Sequence, residues 1–279
     1  MSDLIHIEKN SVQETLIIPL CARVQSTELF PELYSDPESA RALERLDYDD
    51  SDAKKNLGFM VRFGALEAAM RQCDIAFEIR AYLKEHPKAA VVNLGCGLDP
   101  MSRNLDNGTC RLYNIDLPDV IAVRNEIFPA GEREVNLAAD LNDSAWFEQI
   151  DASEGVLFFA CGVFYYFTQE EAKALILAMN QAFPGGRLVF DTCGVLALKV
   201  MMKGIVQKAG ISDVSAYFHA GRPERDIAPW ADGMDLSARG YMLGYQDLRV
   251  KSVPGSFRLL AKVCDGIMQM KIIRLDFGA

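Results

Sequence analysis

The middle of the chain carries five short apolar runs that are separated by segments with helical spacing. The apolar runs occupy residues 89–94, 111–115, 134–138, 156–160 and 187–190. Their length and flanking turn residues are typical of buried strands. The segments 117–128 and 168–183 between them have helical patterns, and Thr168 with Glu171 forms a capping-box signature. Strands that alternate with helices predict an α/β fold with a mostly parallel sheet covered by helices on both faces.

Helices are also predicted before the first strand. The segment 51–85 contains no proline and places apolar residues such as Leu66 and Met70 at helical spacing. It therefore predicts one long helix or two, ending near His86. Pro37, preceded by Ser and Asp, is typical of the first position of another helix.

The pattern is weaker after the fifth strand. Residues 195–210 predict a helix that ends at a glycine. Residues 219–240 are rich in Gly, Pro and Arg, and predict a lid-like loop. Residues 249–253 and 270–277 predict two late strands that form an antiparallel hairpin.

Composition limits the domain organisation and the classes of partner. The chain has 279 residues and half of them are hydrophobic, which is ample for a large core. We expect a single domain over 1–279, in which 1–87 form an N-terminal helical cap and 88–279 form the α/β core. The formal net charge is −10 and the pI is about 4.9. This balance disfavours nucleic acid as a partner, because phosphate binding requires clustered Lys and Arg.

The cysteines and the N-terminal segment indicate a cytoplasmic protein without a metal centre. Seven cysteines are present, and no two have the Cys-x-x-Cys spacing of a zinc or redox site. The first residues lack the basic and apolar pattern of a signal peptide. No apolar stretch approaches the roughly 20 residues that span a bilayer. We expect reduced cysteines, no metal and no membrane association.

A glycine turn and two acids follow three successive predicted strands. Gly95 and Gly97 follow the first strand, Asp116 ends the second, and Asp140 with Leu141 follows the third. Glycines let the backbone approach a ligand closely, and an acid at the next strand end can accept both ribose hydroxyls. The carboxylate after the third strand and the amide beside it can bind adenine. These positions predict a site for an adenosine-containing cofactor.

Two residues of the glycine turn argue against a dinucleotide. The third glycine of the Gly-x-Gly-x-x-Gly fingerprint is replaced by Pro100. Asp99 places a negative charge where a diphosphate would lie. A cationic sulfonium with an amino group tolerates that acid. The turn therefore favours S-adenosylmethionine (SAM) over NAD.

The motif around this turn resembles a known family. The stretch 91–99, Val-Val-Asn-Leu-Gly-Cys-Gly-Leu-Asp, and the stretch 115–121, Ile-Asp-Leu-Pro-Asp-Val-Ile, with Arg103 and Arg124, are similar to the leucine carboxyl methyltransferase family. Residues 15–23 and the Asp-Pro pair before the second predicted helix resemble its polyketide-biosynthesis branch, which includes tetracenomycin-type carboxyl methyltransferases. The resemblance covers roughly residues 12–200 and implies a Rossmann-like, SAM-dependent fold.

The resemblance also implies roles for individual residues. The implied cofactor-binding positions are Arg71, Gly95, Cys96, Gly97, Asp99, Asp116, Leu117, Asp140, Leu141 and Cys161. Of these, Arg71 would pair with the carboxylate of SAM. Arg23, or Ala22 beside it, would face the reacting carboxylate, and Tyr166 would lie on the substrate side as a second catalytic residue.

One position departs from the family pattern. The family has Glu-Gly-Val-Leu-x-Tyr after the fourth strand, whereas this chain has Cys161 in place of the acid. The resemblance places that acid near the amino group of SAM. Losing one charged contact would weaken cofactor binding by about 1.5–3 kcal/mol unless Asp99 or a backbone carbonyl replaced it.

These observations predict a SAM-dependent O-methyltransferase that acts on a carboxylate of a small polyketide-like metabolite. A carboxylate is ionised at pH 7 and needs no general base, and none of His6, His86 and His219 lies in a base motif. A hydroxyl acceptor is a less favoured variant. The alternatives are a protein carboxyl methyltransferase and a degenerate SAM-binding protein without catalysis.

Overall fold

A seven-stranded sheet forms the centre of the described structure. The computed structural model describes residues 4–5, 12–47, 58–201 and 217–278. Within these residues the strands are β1 (Ala90–Leu94), β2 (Arg111–Asp116), β3 (Glu134–Ala138), β4 (Val156–Ala160), β5 (Arg187–Thr192), β6 (Asp235–Gly240) and β7 (Lys271–Asp276). Their order is β3-β2-β1-β4-β5-β7-β6. The first five strands run parallel, and β7 is antiparallel to both of its neighbours. The predicted α/β class is confirmed.

Helices precede the sheet and connect its strands. They are α1 (Val12–Leu29), α2 (Pro37–Glu44), α3 (Phe59–Glu85), α4 (Met101–Asn104), α5 (Pro118–Ile127), α6 (Gln169–Ala182), α7 (Pro223–Asp226) and α8 (Gly255–Gly266). The predicted start at Pro37 is confirmed, since the Asp36 carboxylate caps α2 by accepting from the Ser39 amide at 3.1 Å. The predicted helix end is also confirmed, because His86 caps α3. No helix of the described residues is long and apolar enough to cross a membrane.

Burial explains why the parallel strands are visible in the sequence. All five residues of β1 and of β4 are buried, since these strands lie in the middle of the sheet with packed layers on both faces. Edge strand β3 instead mixes buried and exposed positions. The residues of α3 that pack on the sheet, such as Ile75 and Ile79, are fully buried. The core therefore lies on both sides of β1 and β4.

The predicted C-terminal hairpin is partly wrong. Residues 249–253 form a turn, with the Val253 amide bonded to the Val250 carbonyl, and the chain then enters α8 after Pro254. The partner of β7 is β6, within the segment predicted as a lid-like loop over 219–240. Among the strands that the structure describes, β6 pairs with β7 alone, and its polar sequence lacks the apolar signature of a buried strand.

The rest of the predicted lid segment and the helix before it differ from prediction in smaller ways. The lid segment also contains α7 and a 3₁₀ turn over Ala228–Trp230. The predicted helix over 195–210 is helical over 195–201, and its remainder lies outside the described residues from 202 to 216.

Candidate functional site

The carboxyl ends of five neighbouring strands gather the predicted site residues at one edge of the sheet. Gly95 follows β1, Asp116 ends β2, Asp140 follows β3, Cys161 follows β4 and Asp191 is the second-to-last residue of β5. Because these strands run parallel, their carboxyl ends meet at the same edge. Ligands of open α/β sheets bind in the crevice outside this edge, where the strand order reverses around β1 and β4.

The glycine turn after β1 requires glycine at both positions. Gly95 and Gly97 have φ of 60° and 47°, which side chains rarely adopt. A Cβ on Gly95 would lie 2.6 Å from Val163 Cγ2, and one on Gly97 would lie 3.2 Å from Leu16 Cδ2. The buried Cys96 between them donates its amide to the Ile115 carbonyl at 3.0 Å. The turn is thus packed between the loop after β4 and helix α1.

A fully buried arginine, Arg124, binds the backbone carbonyls of this turn. Arg124 Nη1 donates to the carbonyls of Gly97 and Asp99, both at 2.9 Å. Its Nε donates to Asn136 Oδ1 at 3.2 Å, which ties helix α5 to β3. The sequence motif included Arg124 without giving it a role. The sequence offered no signal for this role beyond the place of Arg124 in the motif, because the atoms that it binds are distant along the chain.

Asp116 connects β2 to the glycine turn. Its Oδ2 accepts from the Gly97 amide at 2.7 Å and its Oδ1 accepts from the Leu117 amide at 2.8 Å. Burial raises the pKa of this carboxyl, and the two amide bonds oppose that shift. The Asp116 carbonyl accepts from the Ala139 amide at 2.9 Å. The carboxylate is therefore fixed between the glycine turn and the start of α5, at the position where the ribose acid is predicted.

The predicted adenine pair lies at the end of β3. Asp140 is exposed, and its Oδ1 accepts from the Asn142 amide at 2.9 Å. Leu141 is buried, and its carbonyl accepts from Trp146 Nε1 at 3.4 Å. The structure thus places a carboxylate facing solvent beside an anchored apolar residue.

Gln72 of α3 links Asp99 to the position after β4. Its Nε2 donates to Asp99 Oδ2 at 2.8 Å and lies 3.4 Å from Cys161 Sγ. The other Asp99 oxygen accepts from the Met101 amide at 2.9 Å. Desolvation raises the pKa of the Cys161 thiol to about 12. At neutral pH this thiol is uncharged and does not supply the negative charge of the family acid.

Asp191 was missed by sequence reasoning, although the same signal that selected Asp116 was present. It follows the apolar run that ends at Phe190, as Asp116 follows Ile115. Its Oδ1 accepts from the Gly162 amide at 2.6 Å, and its Oδ2 pairs with Arg71 Nη1 at 3.3 Å. Arg71 on α3 thereby reaches the sheet edge.

The two predicted catalytic residues occupy different surroundings. Arg23 is buried: its Nε donates to Ser39 Oγ at 2.9 Å, and its Nη2 donates to the Leu98 carbonyl at 2.7 Å. It also lies 3.6 Å from the Asp36 carboxylate and so joins α1, α2 and the glycine turn. Tyr166 lies in a 3₁₀ turn after β4 with 54% of its surface exposed. Their catalytic roles stay predictions.

A family model described as Leucine carboxyl methyltransferase matches residues 10–180. The chain belongs to the leucine carboxyl methyltransferase family. It is a SAM-dependent methyltransferase, and SAM is its cofactor. It is 25% identical over 194 residues to the tetracenomycin polyketide synthesis O-methyltransferase TcmP of Streptomyces glaucescens, covering 66% of this chain and 67% of the relative. It is 30% identical over 202 residues to the SAM-dependent methyltransferase dpfgK of Gibberella zeae, again over 66% and 67%.

Solved structures share the fold of this methyltransferase. A methyltransferase candidate from Thermobifida fusca superposes with a TM-score of 0.58 at 14% identity, covering 86% of this chain and 94% of that one. The plantazolicin methyltransferase BpumL, solved with a triazolic desmethylPZN analogue and S-adenosylhomocysteine (SAH), gives 0.51 at 11% identity, with coverage of 96% and 100%. At these identities the likeness concerns the fold alone.

The residues at the sheet edge of this methyltransferase fit SAM. Asp116 lies beside a turn whose glycines allow close backbone approach, and its carboxylate is the kind of group that ribose hydroxyls donate to. Among the residues that the structure describes, the buried Nε of Arg71 has no hydrogen-bond partner and can donate to a ligand carboxylate. Among the described residues, no group of three His, Cys, Asp or Glu side chains is arranged to hold a metal ion.

Two open cavities of this methyltransferase lie away from the sheet edge. One, of about 530 Å³, is lined by Leu243, Asp247, Leu248, Arg249, Arg258 and Lys262. The other, of about 360 Å³, lies between α3 and the segment around Gln246. Neither is lined by the strand-end residues described above. Both cavities therefore lie apart from the residues predicted to bind the cofactor.

Proposed function

We propose that this protein methylates a carboxylate of a small polyketide-like metabolite. Support comes first from the relatives, since TcmP carries the name of a polyketide O-methyltransferase and the family model carries that of a carboxyl methyltransferase. The observation that carries the proposal is the protonation state of the groups around Arg71. Desolvation raises the pKa of Cys161 to about 12, and it holds the pKa values of Tyr165 and Tyr241 well above their usual range.

These pKa values favour an acceptor that arrives already ionised. A phenol has a pKa near 10 and requires a base to take its proton. The neutral thiol and the two neutral phenols near Arg71 cannot take that proton at pH 7, and the Asp191 carboxylate beside them is already engaged by Arg71 Nη1 and the Gly162 amide. His219 lies outside this group, and its Nδ1 is 3.1 Å from both the Gln169 Nε2 atom and the Tyr217 carbonyl oxygen. A carboxylate acceptor needs only to be positioned and desolvated.

The chain's own residues supply that positioning. SAM, when bound, supplies the electrophilic methyl group. Asp116 and the glycine turn fix the nucleoside part, Arg71 fixes the methionine end, and Tyr166 at the exposed rim is available to contact the acceptor. Aligning the acceptor oxygen with the methyl carbon and sulfur then accounts for most of the rate enhancement that this chain needs to provide.

Methyl transfer from labelled SAM tests the proposal. The purified protein is incubated with methyl-labelled SAM and a matched pair of aromatic compounds, one with a carboxyl group and one with a hydroxyl group at the same place. Mild base releases methanol from a methyl ester and leaves a methyl ether intact. We expect volatile label from the carboxyl compound. Base-stable label from the hydroxyl compound would contradict the carboxylate assignment.

The same assay separates the alternatives. Label in a protein-tail peptide, with none in the small acids, would favour a protein carboxyl methyltransferase. Binding of SAM without transfer to any acceptor of the panel would favour a non-catalytic SAM-binding protein.

A further inference from the structure

Arg71 and Asp191 form an ion pair at the point where the methionine end of SAM is expected. Their charged atoms are 3.3 Å apart, and the side chains are 21% and 1% exposed. Asp191 is anchored from the other side by the Gly162 amide at 2.6 Å. The pair thus joins α3, the end of β5 and the loop after β4.

The usual acid after β4 is absent, and its neighbours do not take its place. Cys161 is a neutral thiol at physiological pH. Both oxygens of Asp99 are engaged, one by Gln72 Nε2 and one by the Met101 amide. Asp191 Oδ2, in contrast, makes one contact within the described part of the chain, at 3.3 Å with Arg71 Nη1.

We propose that Asp191 receives the ammonium group of the SAM methionine end while Arg71 receives its carboxylate, so that the ligand zwitterion replaces the Arg71–Asp191 ion pair. The inference rests on SAM dependence and is independent of the methyl acceptor.

Charge balance favours this exchange. Separating a buried ion pair is costly when either partner is left without a counter-ion. A zwitterionic ligand supplies one opposite charge to each partner, so no buried charge is left uncompensated. Arg71 has an unpartnered Nε, and Nε with Nη2 on the same edge of the guanidinium presents two parallel donors, which suits the two oxygens of a carboxylate.

Gly162 provides the space in which Arg71 meets the sheet edge. It has φ of 76°, and a Cβ there would lie 2.9 Å from Arg71 Nη1. Any other residue would push the guanidinium away from the end of β4. The loop after β4 is therefore shaped around Arg71 as well as around the glycine turn.

Calorimetry with three ligands tests the proposal. SAH has the whole methionine end, deaminated SAH lacks the amino group, and 5′-methylthioadenosine lacks both charged groups. We expect Asp191→Asn to bind SAH about 10- to 100-fold more weakly than the wild type. For methylthioadenosine, the affinity of the variant should be within about twofold of the wild-type affinity. For deaminated SAH, which has no amino group to lose, the variant and the wild type should bind equally well. A merely structural role would weaken all three ligands together.

The outcomes separate this inference from the cofactor assignment. Wild-type binding of SAH with an unchanged Asp191→Asn affinity would overturn the role of Asp191 alone. If the wild type bound neither SAH nor methylthioadenosine, SAM dependence would be overturned as well. Should Asp191→Asn not fold, a wild-type structure with SAH decides. An amino nitrogen within hydrogen-bond distance of Asp191 supports the proposal, and an intact Arg71–Asp191 pair with the amino group on another acceptor overturns it.

Discussion

Two independent constraints require glycine at position 95 of the cofactor site: the backbone conformation and the space available for a side chain. Its φ of 60° excludes most side chains, and the loop after β4 fills the space where a side chain would begin. Sequence reasoning identified the turn but not the second demand, because Val163 lies 68 positions later and reaches Gly95 only through the pairing of β1 with β4.

We predict that Gly95→Ala destabilises the protein more than Gly108→Ala. Gly108 also has a positive φ, of 85°, but a Cβ there would meet nothing within 4 Å. Both variants carry backbone strain of about 1–3 kcal/mol, and only the first adds a clash with Val163. Urea unfolding measures the difference. Equal losses of unfolding free energy would show that the packing against Val163 contributes nothing.

Asp74 on α3 is a buried acid outside the cofactor site. Neither of its carboxylate oxygens has a hydrogen-bond partner in the ranges that the structure describes, and the residue is 1% exposed. Desolvation, together with Asp265 and Glu78, raises its pKa from 3.8 to about 9, and Arg239 opposes the shift. The folded state therefore binds the Asp74 proton more tightly than the unfolded state. This stabilisation is complete below pH 3.8 and is lost as the pH rises toward about 9.

We predict that Asp74→Asn stabilises the protein at pH 8 relative to its effect at pH 5, by on the order of 4 kcal/mol. At pH 8 the folded protein still holds the Asp74 proton whereas the unfolded chain has released it, so folding must take up a proton, and the neutral amide removes that cost. Denaturant unfolding at both pH values measures this. Asp247→Asn is the control, because the pKa of Asp247 is lowered by Arg249 and that exposed carboxylate stays ionised throughout the window. A pH-independent effect of Asp74→Asn would contradict the raised pKa.

At the scale of elements, helix starts were the most predictable features. Thr168 caps α6: its Oγ accepts from the Glu171 amide at 3.2 Å, and the Glu171 carboxylate accepts from the Thr168 amide at 2.8 Å. Both partners lie within four residues, so the signal is local. Strand β6 could not be predicted in the same way, since it is polar and pairs with β7, about 35 residues later in the chain.

We predict that Thr168→Ala lowers the free energy of unfolding by about 1 kcal/mol, because the hydroxyl that accepts from the Glu171 amide is lost. Thr168→Ser keeps the hydroxyl and should be within about 0.5 kcal/mol of the wild type. Thermal and urea unfolding of both variants measure the effect. Equal destabilisation by alanine and serine would assign the effect to the lost methyl group instead of the cap.

At the scale of the whole molecule, the sheet edge was predictable and its cross-links were not. Asp116 and the glycine turn each follow an apolar strand, and parallel strands bring such ends together. The pairing of Arg71 with Asp191 spans 120 positions and depends on how α3 packs on β5. Arg23 was matched to the substrate side by resemblance, whereas the structure shows it bonded to the glycine turn. That the whole chain forms a single domain stays a prediction.

Titration of SAH into the wild type and into Asp116→Asn tests the central claim, that the sheet edge holds SAM, most directly. We predict saturable one-to-one binding by the wild type and binding at least about tenfold weaker by the variant, since the ribose then loses a charged acceptor. Circular dichroism confirms that both proteins are folded. Absence of wild-type binding at ~1 mM SAH, or equal affinities in the two proteins, would contradict this assignment.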